Sequence, residues 1–224
     1  MVNGKCLNIK RFVANAIGEN CYILWDDTLE AAIIDCGAWG ETKKARIAQF
    51  IEENALRPCM ALQTHMHFDH VLGLPFLYRC YGLRPRCHAF EQEVYNCVPT
   101  MASELFGLEL SEPPVPVGEY LADDEELQFG NTRFRTLFTP GHTPGGLCFY
   151  FPLAGALFSG DTLFPGSIGR SDLPGGNHAQ LLHSIHTRLL TLPDDVTVYP
   201  GHGPATTVGD ERRNNPFLQT EGDD

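Results

Sequence analysis

The stretch T-H-M-H-F-D-H at residues 64–70 holds three of the nine histidines of the chain, His65, His67 and His70, around Asp69. Imidazole and carboxylate groups are common ligands of divalent metal ions in proteins. Four potential ligands within six residues have no packing reason, and a solvated loop does not require histidine. The stretch therefore predicts a metal site.

Strand-like and helix-like runs alternate along the chain, a pattern that predicts an α/β fold. Residues 58–64 predict a short strand that ends at the histidine cluster, and residues 42–56 predict an amphipathic helix before it. A further helix is expected at about 178–190, and further strands at 6–13, 20–26, 31–36, 126–130, 132–140, 147–151, 156–161 and 196–200. Two sheets with helices outside them are the expected packing.

Three more potential ligands follow predicted strands, each beside a glycine. His142 lies in T-P-G-H-T-P-G, Asp161 in F-S-G-D-T and His202 in Y-P-G-H-G. Glycine allows the sharp turns and close backbone approach that a compact site needs. Together with the first cluster they give five histidines and two aspartates, enough for two metal ions with three protein ligands each and a shared carboxylate.

Composition limits the possible functions. A net charge of −12 and a pI near 5.1 would repel a phosphate backbone, so nucleic acid is not an expected partner. No apolar run is long enough to span a membrane, and the first residues lack the features of a signal peptide, so we predict a cytoplasmic protein. The eight cysteines form no C-x-x-C pair, which disfavours a cysteine metal site.

Residues 97–118 are apolar and rich in proline and glycine, which predicts a segment without a regular element. It is either an ordered surface connection or a flap over the site. If it is a flap, Phe106 is a candidate for contact with the substrate.

H-x-H-x-D-H, G-H-T-P-G, S-G-D-T-L-F and Y-P-G-H-G, in this order, resemble the motifs of the metallo-β-lactamase superfamily. The resemblance covers roughly residues 7–218 and implies an αββα sandwich with its metals at the sheet edges. The aspartate of S-G-D-T-L-F, with G-R-S-D-L-P-G-G-N and N-N-P-F-L, looks like the glyoxalase II-related branch, in particular its short bacterial members. It implies one domain over residues 1–224, without the C-terminal helical domain that supplies glutathione contacts in full-length members.

The resemblance also implies a ligand set for two divalent metal ions. The first ion is expected on His65, His67 and His142. The second is expected on Asp69, His70 and His202, with Asp161 bridging the two. Zinc is the expected metal, and histidine and carboxylate ligands also accept iron or manganese.

The expected reaction is hydrolysis of a thioester, a small-molecule substrate. Metal binding lowers the pKa of water from about 15.7 to about 7, so a water shared by two ions would be largely hydroxide at neutral pH, and Asp69 can orient it. A thiolate leaves without a strong acid because a thiol has a pKa of about 8.5. The family resemblance implies an S-acylglutathione, such as S-D-lactoylglutathione. Arg170 can bind a substrate carboxylate or pair with Asp172 instead.

Two other functions remain open. Persulfide dioxygenases, which use one iron, resemble this chain in the G-R-S-D loop and in H-S-I-H-T-R-L-L-T-L-P, but Y-P-G-H-G-P-A-T-T and E-R-R-N-N-P-F-L look more like the hydrolase. A metal-binding protein without turnover is disfavoured by Asp161 and by the position of the ligands at strand ends. A β-lactamase is disfavoured because a bridging aspartate is not the pattern of that branch.

Overall fold

The computed structural model describes residues 7–110 and 112–219, and the side chains of residues 105 and 106 lie outside this description. Within these residues two six-stranded sheets face each other across an apolar core, and helices pack on both outer faces. The αββα sandwich expected from the sequence is therefore confirmed.

The first sheet is formed by the N-terminal half of the chain. Its first three strands are antiparallel, and its last three continue the sheet in parallel. In spatial order the strands are β1 (Asn8–Val13), β2 (Asn20–Trp25), β3 (Glu30–Ile34), β4 (Arg57–Leu62), β5 (Pro85–His88) and β6 (Glu119–Leu121).

The second sheet is formed by the C-terminal half. Its strands are β7 (Glu126–Phe129), β8 (Thr132–Phe138), β9 (Leu147–Phe151), β10 (Ala156–Gly160), β13 (Thr197–Pro200) and β14 (Thr206–Thr207), in the spatial order β14-β13-β10-β9-β8-β7. The β10–β13 pair is parallel and the other pairs are antiparallel. A two-stranded ribbon of β11 (Leu163–Phe164) and β12 (Ser167–Ile168) lies beside it.

The helices connect and cover the sheets. They are α1 (Glu41–Glu53), α2 (Phe68–Val71), α3 (Leu74–Tyr81), α4 (Glu91–Asn96), α5 (Val98–Phe106), α6 (His178–Ser184) and α7 (Val208–Asn214). The last turn of α6 continues as a π-helical turn over Ile185–Leu189. Among the described residues, no helix has both the length and the apolar character needed to cross a membrane.

Alternating apolar residues of both sheets form the core between them. Side chains point to opposite faces along a strand, so every second residue enters this layer. Its largest buried side chains, none more than 2% exposed, are Phe129, Phe134, Phe149, Phe151 and Phe158. Burying each such side chain stabilises the fold by about 1.5–3 kcal/mol, which fixes the strand ends that carry the site.

One buried carboxylate joins the turns at the ends of the two sheets. Asp26, in the β2–β3 turn, accepts hydrogen bonds from the amide and hydroxyl of Thr28 at 2.9 and 2.6 Å. Its other oxygen accepts from the amide of Asn131 at 2.7 Å and from the hydroxyl of Thr132 at 2.9 Å, both in the β7–β8 turn. These bonds hold the pKa of Asp26 below its usual value although burial opposes this.

Two sequence predictions about regular structure were wrong. Residues 97–118 contain the helix α5, because Pro99 lies in its first turn, where proline is tolerated, and Gly107 ends it with a left-handed backbone at φ 61°. Helix α1 ends at Glu53 and not near Leu56, since Ala55 adopts a positive φ of 51°.

Candidate metal centre

The predicted ligands lie at four strand ends whose loops converge. The H-M-H-F-D-H segment follows β4, while His142, Asp161 and His202 follow β8, β10 and β13. The residue before His202 has to be small, because a Cβ at Gly201 would lie 2.2 Å from Oδ1 of Asp161 and 2.7 Å from Cε1 of His70. The glycine expected from the sequence thus brings the second-sheet loop onto the first-sheet cluster.

Three histidine side chains form the first group. Nε2 of His142 lies 3.3 Å from Nε2 of His65 and 3.0 Å from Nδ1 of His67. All three residues are at most 6% exposed, and burial lowers the pKa of each, that of His67 to about 3. The imidazoles are therefore neutral, which is the form that binds metal ions.

The outer nitrogens of this group fix the tautomers. Nδ1 of His142 donates to the carbonyl oxygen of Arg170 at 2.7 Å. Thr64 donates its hydroxyl proton to Asp35 at 2.6 Å, so its oxygen accepts from Nδ1 of His65 at 3.1 Å. The inward nitrogens of His65 and His142 therefore carry lone pairs. Lone pairs that face each other repel, and a cation between them removes the repulsion, so this group fits a metal ion.

Asp69, His70 and His202 form the second group, with ligand atoms within 4.8 Å of one another. Nε2 of His202 lies 3.1 Å from Oδ2 of Asp69, and Nε2 of His70 lies 3.7 Å from the same oxygen. Burial would raise the pKa of Asp69, but His70 and His202 hold it below its usual value. The carboxylate is thus ionised and can bind a cation.

Asp161 lies between the two groups. Its Oδ2 is 3.7 Å from Nε2 of both His142 and His202, and its Oδ1 is 3.5 Å from Nε2 of His70. Among the described residues, neither this Oδ1 nor Nε2 of His70 has a hydrogen-bond partner, although both atoms are buried. Buried polar atoms without partners are costly, and metal ions on either side of Asp161 would satisfy them.

The sequence analysis did not identify Asp35 as part of the site. It lies at the end of β3, is 1% exposed and has a positive φ of 49°. Its carboxylate accepts from the amide and hydroxyl of Thr64 at 2.8 and 2.6 Å, and Oδ2 lies 3.2 Å from Nδ1 of His70. Asp35 therefore orients the ligand loop from behind, as buried partners of metal-binding histidines do. In the sequence, the sign of this role is that Asp35 stands at the end of a predicted strand.

Glu91 was also missed. This residue of α4 is fully buried, and its Oε2 accepts from the amide of Met66 at 2.7 Å while its Oε1 accepts from the amide of Gly145 at 2.8 Å. Met66 lies between His65 and His67, and Gly145 follows His142 by three residues. One side chain thus holds together the two loops that supply the first histidine group.

Arg170 and Phe106 were predicted from the sequence to contact the substrate. The guanidinium of Arg170 pairs with both carboxylate oxygens of Asp172, at 2.8 and 2.9 Å. This is the pairing that the sequence offered as the alternative to binding of a substrate carboxylate. Binding of a substrate carboxylate by Arg170 stays a prediction. The side chain of Phe106 lies outside the described residues, and its contact with substrate also stays a prediction.

Part of the 97–118 segment lines a cavity of about 300 Å³ next to α2. Its walls are mainly apolar and include Leu110 together with Val71 and Leu72, which directly follow the candidate ligand His70. The flap role of the 97–118 segment stays a prediction.

Similarity to known proteins agrees with this geometry. A model of the metallo-β-lactamase superfamily matches residues 14–202, a range that includes all seven predicted ligands. Hydroxyacylglutathione hydrolase GloC of Haemophilus influenzae is 37% identical over 216 residues, which cover 96% of this chain and 100% of that protein.

Two solved structures extend the comparison. The di-iron-bound form of TTHA1623 is 37% identical with a TM-score of 0.82, covering 93% of this chain and 100% of the other. The BLEG-1 B3 metallo-β-lactamase is 34% identical with a TM-score of 0.86, covering 95% of this chain and 100% of the other. Fold, motifs and relatives agree, and the chain belongs to the metallo-β-lactamase superfamily as a metallo-hydrolase.

Proposed function

We propose that this protein hydrolyses thioesters, with an S-acylglutathione such as S-D-lactoylglutathione as a substrate. We infer two divalent metal ions per chain, zinc in the first instance, on the two ligand groups with Asp161 between them. The observation that carries the proposal is the position of the Asp161 carboxylate, within 3.7 Å of imidazoles from both groups. The similarity to a relative named hydroxyacylglutathione hydrolase supports the choice of substrate.

The residues of the chain hold and orient the reacting groups. Bound divalent ions supply a lowered pKa for water, about 7, and polarise a carbonyl oxygen. Asp69 is ionised and 8% exposed, so its carboxylate can accept a hydrogen bond from an attacking water and orient it. His65, His67 and His142 are themselves buried, which limits the access of bulk water on their side of the site. The leaving thiolate needs no strong acid because a thiol has a pKa of about 8.5.

A nucleophilic serine does not compete with this mechanism. Ser159, which precedes Asp161 by two residues, is fully buried and donates its hydroxyl to the carbonyl oxygen of Leu163 at 2.9 Å. Its proton is thus committed to the β10–β11 turn. We therefore assign the reaction to the candidate metal ligands at this edge of the sandwich and not to Ser159.

The proposal is tested by measuring turnover of three substrates beside metal content. Purified protein is assayed with S-D-lactoylglutathione, with glutathione persulfide under oxygen monitoring, and with the β-lactam nitrocefin. We expect thioester hydrolysis without oxygen uptake, and nitrocefin turnover far below it. Oxygen uptake with one iron per chain would favour the dioxygenase reaction, and preferred cleavage of nitrocefin would favour the activity in the name of the BLEG-1 relative.

A further inference from the structure

A groove of about 270 Å³ runs between the edge strand β1 and helix α1. Four cationic residues line it, Lys10, Arg11, Lys43 and Arg46, and the side chains of Lys10 and Arg11 leave opposite faces of β1. Among the described residues, none of the four forms an ion pair with a carboxylate, whereas nine other lysines and arginines do. In a chain of net charge −12, this concentration of unpaired positive charge is unusual.

The contacts of these side chains leave most of their donors available. Nζ of Lys10 lies over the rings of Phe12 and Phe50, 5.7 and 5.6 Å from their centroids. Lys43 donates one proton to the carbonyl oxygen of Val13 at 2.7 Å. Because a lysine has three N–H donors and an arginine five, the groove keeps many donors for a ligand.

The groove begins beside the candidate metal centre. Ala14 lines this end of the groove, whereas the side chain of Arg11 lies on the opposite face of β1, where its Nη1 donates to the carbonyl oxygen of Gly203 at 2.8 Å. At the end of the same segment, Asn15 donates to the backbone oxygen of Asp69 at 2.9 Å. This end of the groove is thus one residue away from a segment that contacts the candidate ligand loop.

We propose that this groove binds phosphate groups of the thiol carrier, so that the enzyme also takes thioesters whose carrier is phosphorylated. The inference rests on the proposed thioester hydrolysis and names a further class of substrate for the same site. Clustered cations match a carrier with several phosphate charges better than a glutathione moiety, in which one ammonium group offsets one of the two carboxylates. Arginine forks and lysine ammonium groups both suit phosphate oxygens.

The charge distribution favours a small phosphorylated molecule over a nucleic acid. A cleft lined by one sign of charge concentrates small ions of the opposite sign. A long polyanion would also contact the acidic remainder of the surface, which repels it. The groove is thus suited to a compact ligand that ends within it.

Binding is tested first without catalysis, by calorimetry with 3′,5′-ADP, the phosphorylated end of coenzyme A. The test variant is Lys10→Gln/Arg46→Gln, which leaves the bonds of Arg11 and Lys43 to backbone intact. The control is Arg84→Gln/Arg135→Gln, which removes the same charge from two cations that contact only tyrosine rings in the described residues. Because exposed ion pairs are weak, we expect about tenfold weaker binding of 3′,5′-ADP, and in the test variant only.

Kinetics then compare a coenzyme A thioester with the corresponding pantetheine thioester, which lacks the phosphates. We expect Lys10→Gln/Arg46→Gln to raise KM about tenfold for the coenzyme A thioester and to leave the pantetheine thioester unaffected. Added salt should raise KM of the wild type for the coenzyme A thioester alone. Equal effects on both esters, or equal effects of the control variant, would overturn the inference.

Two further outcomes separate this inference from the proposed function. If 3′,5′-ADP binds through the groove but no thioester is hydrolysed, the groove assignment stands and the thioester proposal is wrong. If thioesters are hydrolysed but 3′,5′-ADP binding does not depend on Lys10 and Arg46, the groove assignment is wrong. Tighter groove-dependent binding of an oligouridylate than of 3′,5′-ADP would also overturn it.

Discussion

Oδ1 of Asp161 and Nε2 of His70 lie 3.5 Å apart, both buried and, among the described residues, both without a hydrogen-bond partner. Buried polar atoms without a hydrogen-bond partner are costly, and a metal ion beside them would satisfy both. Through this contact with His70, Asp161 joins the second ligand group, and its other oxygen approaches His142 of the first group.

Asp161→Asn tests this link directly. The amide keeps the shape of the side chain but removes its charge, so we expect kcat to fall at least about a hundredfold, while the other six side chains still bind some metal. A metal ion contributes several kcal/mol of transition-state stabilisation, which sets this scale. Turnover and metal content are measured together, with the exposed Asp195→Asn as a control. Wild-type turnover in Asp161→Asn would exclude a shared carboxylate.

Glu91→Gln tests the connection between the two histidine loops. An amide can accept one of the two backbone hydrogen bonds but presents its NH2 group to the other donor. We expect about a 10- to 100-fold loss of affinity at the first metal group, as found for buried partners of metal ligands. Competition with a chromophoric chelator measures this affinity.

Glu93→Gln on the same helix is the matched control, because Glu93 is exposed. A Glu91→Gln protein with wild-type metal affinity and only lower thermal stability would mean that Glu91 supports the fold and not the site.

Leu110→Ala tests whether the 97–118 segment contacts the acyl group. Removing an apolar wall of the cavity next to α2 should raise KM for long acyl thioesters by about tenfold, because each buried CH2 contributes about 0.8 kcal/mol. A KM increase with unchanged kcat is the pattern of lost uniform binding. Phe106→Ala is expected to act in the same direction.

Leu153→Ala is the control for these variants, since Leu153 is an 88% exposed leucine away from the cavity. An unchanged preference for acyl length in Leu110→Ala would show that the segment is only a connection.

Asp26→Asn should destabilise the fold by about 1–3 kcal/mol at pH 7, because its amide cannot accept all the bonds from both turns. The pKa of Asp26 is lowered in the folded state, so its stabilisation is present above the unfolded value of about 3.9 and is lost as pH falls through the lower folded value. Urea unfolding at pH 7, 5 and 4 measures the difference from wild type. The exposed Asp195→Asn, outside both turns, is the control, and a difference that grew towards acid pH would contradict this account.

The clustering of the candidate ligands could be predicted because their sequence pattern is local. H-x-H-x-D-H and the Gly-flanked residues after three strands can be recognised within a few positions of each other. Glu91 was not predictable in this way, since its partners Met66 and Gly145 are 25 and 54 residues distant and offer only backbone amides. Helix α5 was missed because proline and glycine, which usually mark loops, here occupy its first turn and its C-cap.

The most direct test of the account is the number of metal ions per chain measured together with turnover of S-D-lactoylglutathione. Chelated protein is titrated with zinc, and bound metal and activity are followed in the same samples. We predict two ions per chain at saturation, with hydrolysis restored as they bind. A chain that saturates at one ion, or that hydrolyses the thioester fully after chelation, would contradict the two-group site around Asp161.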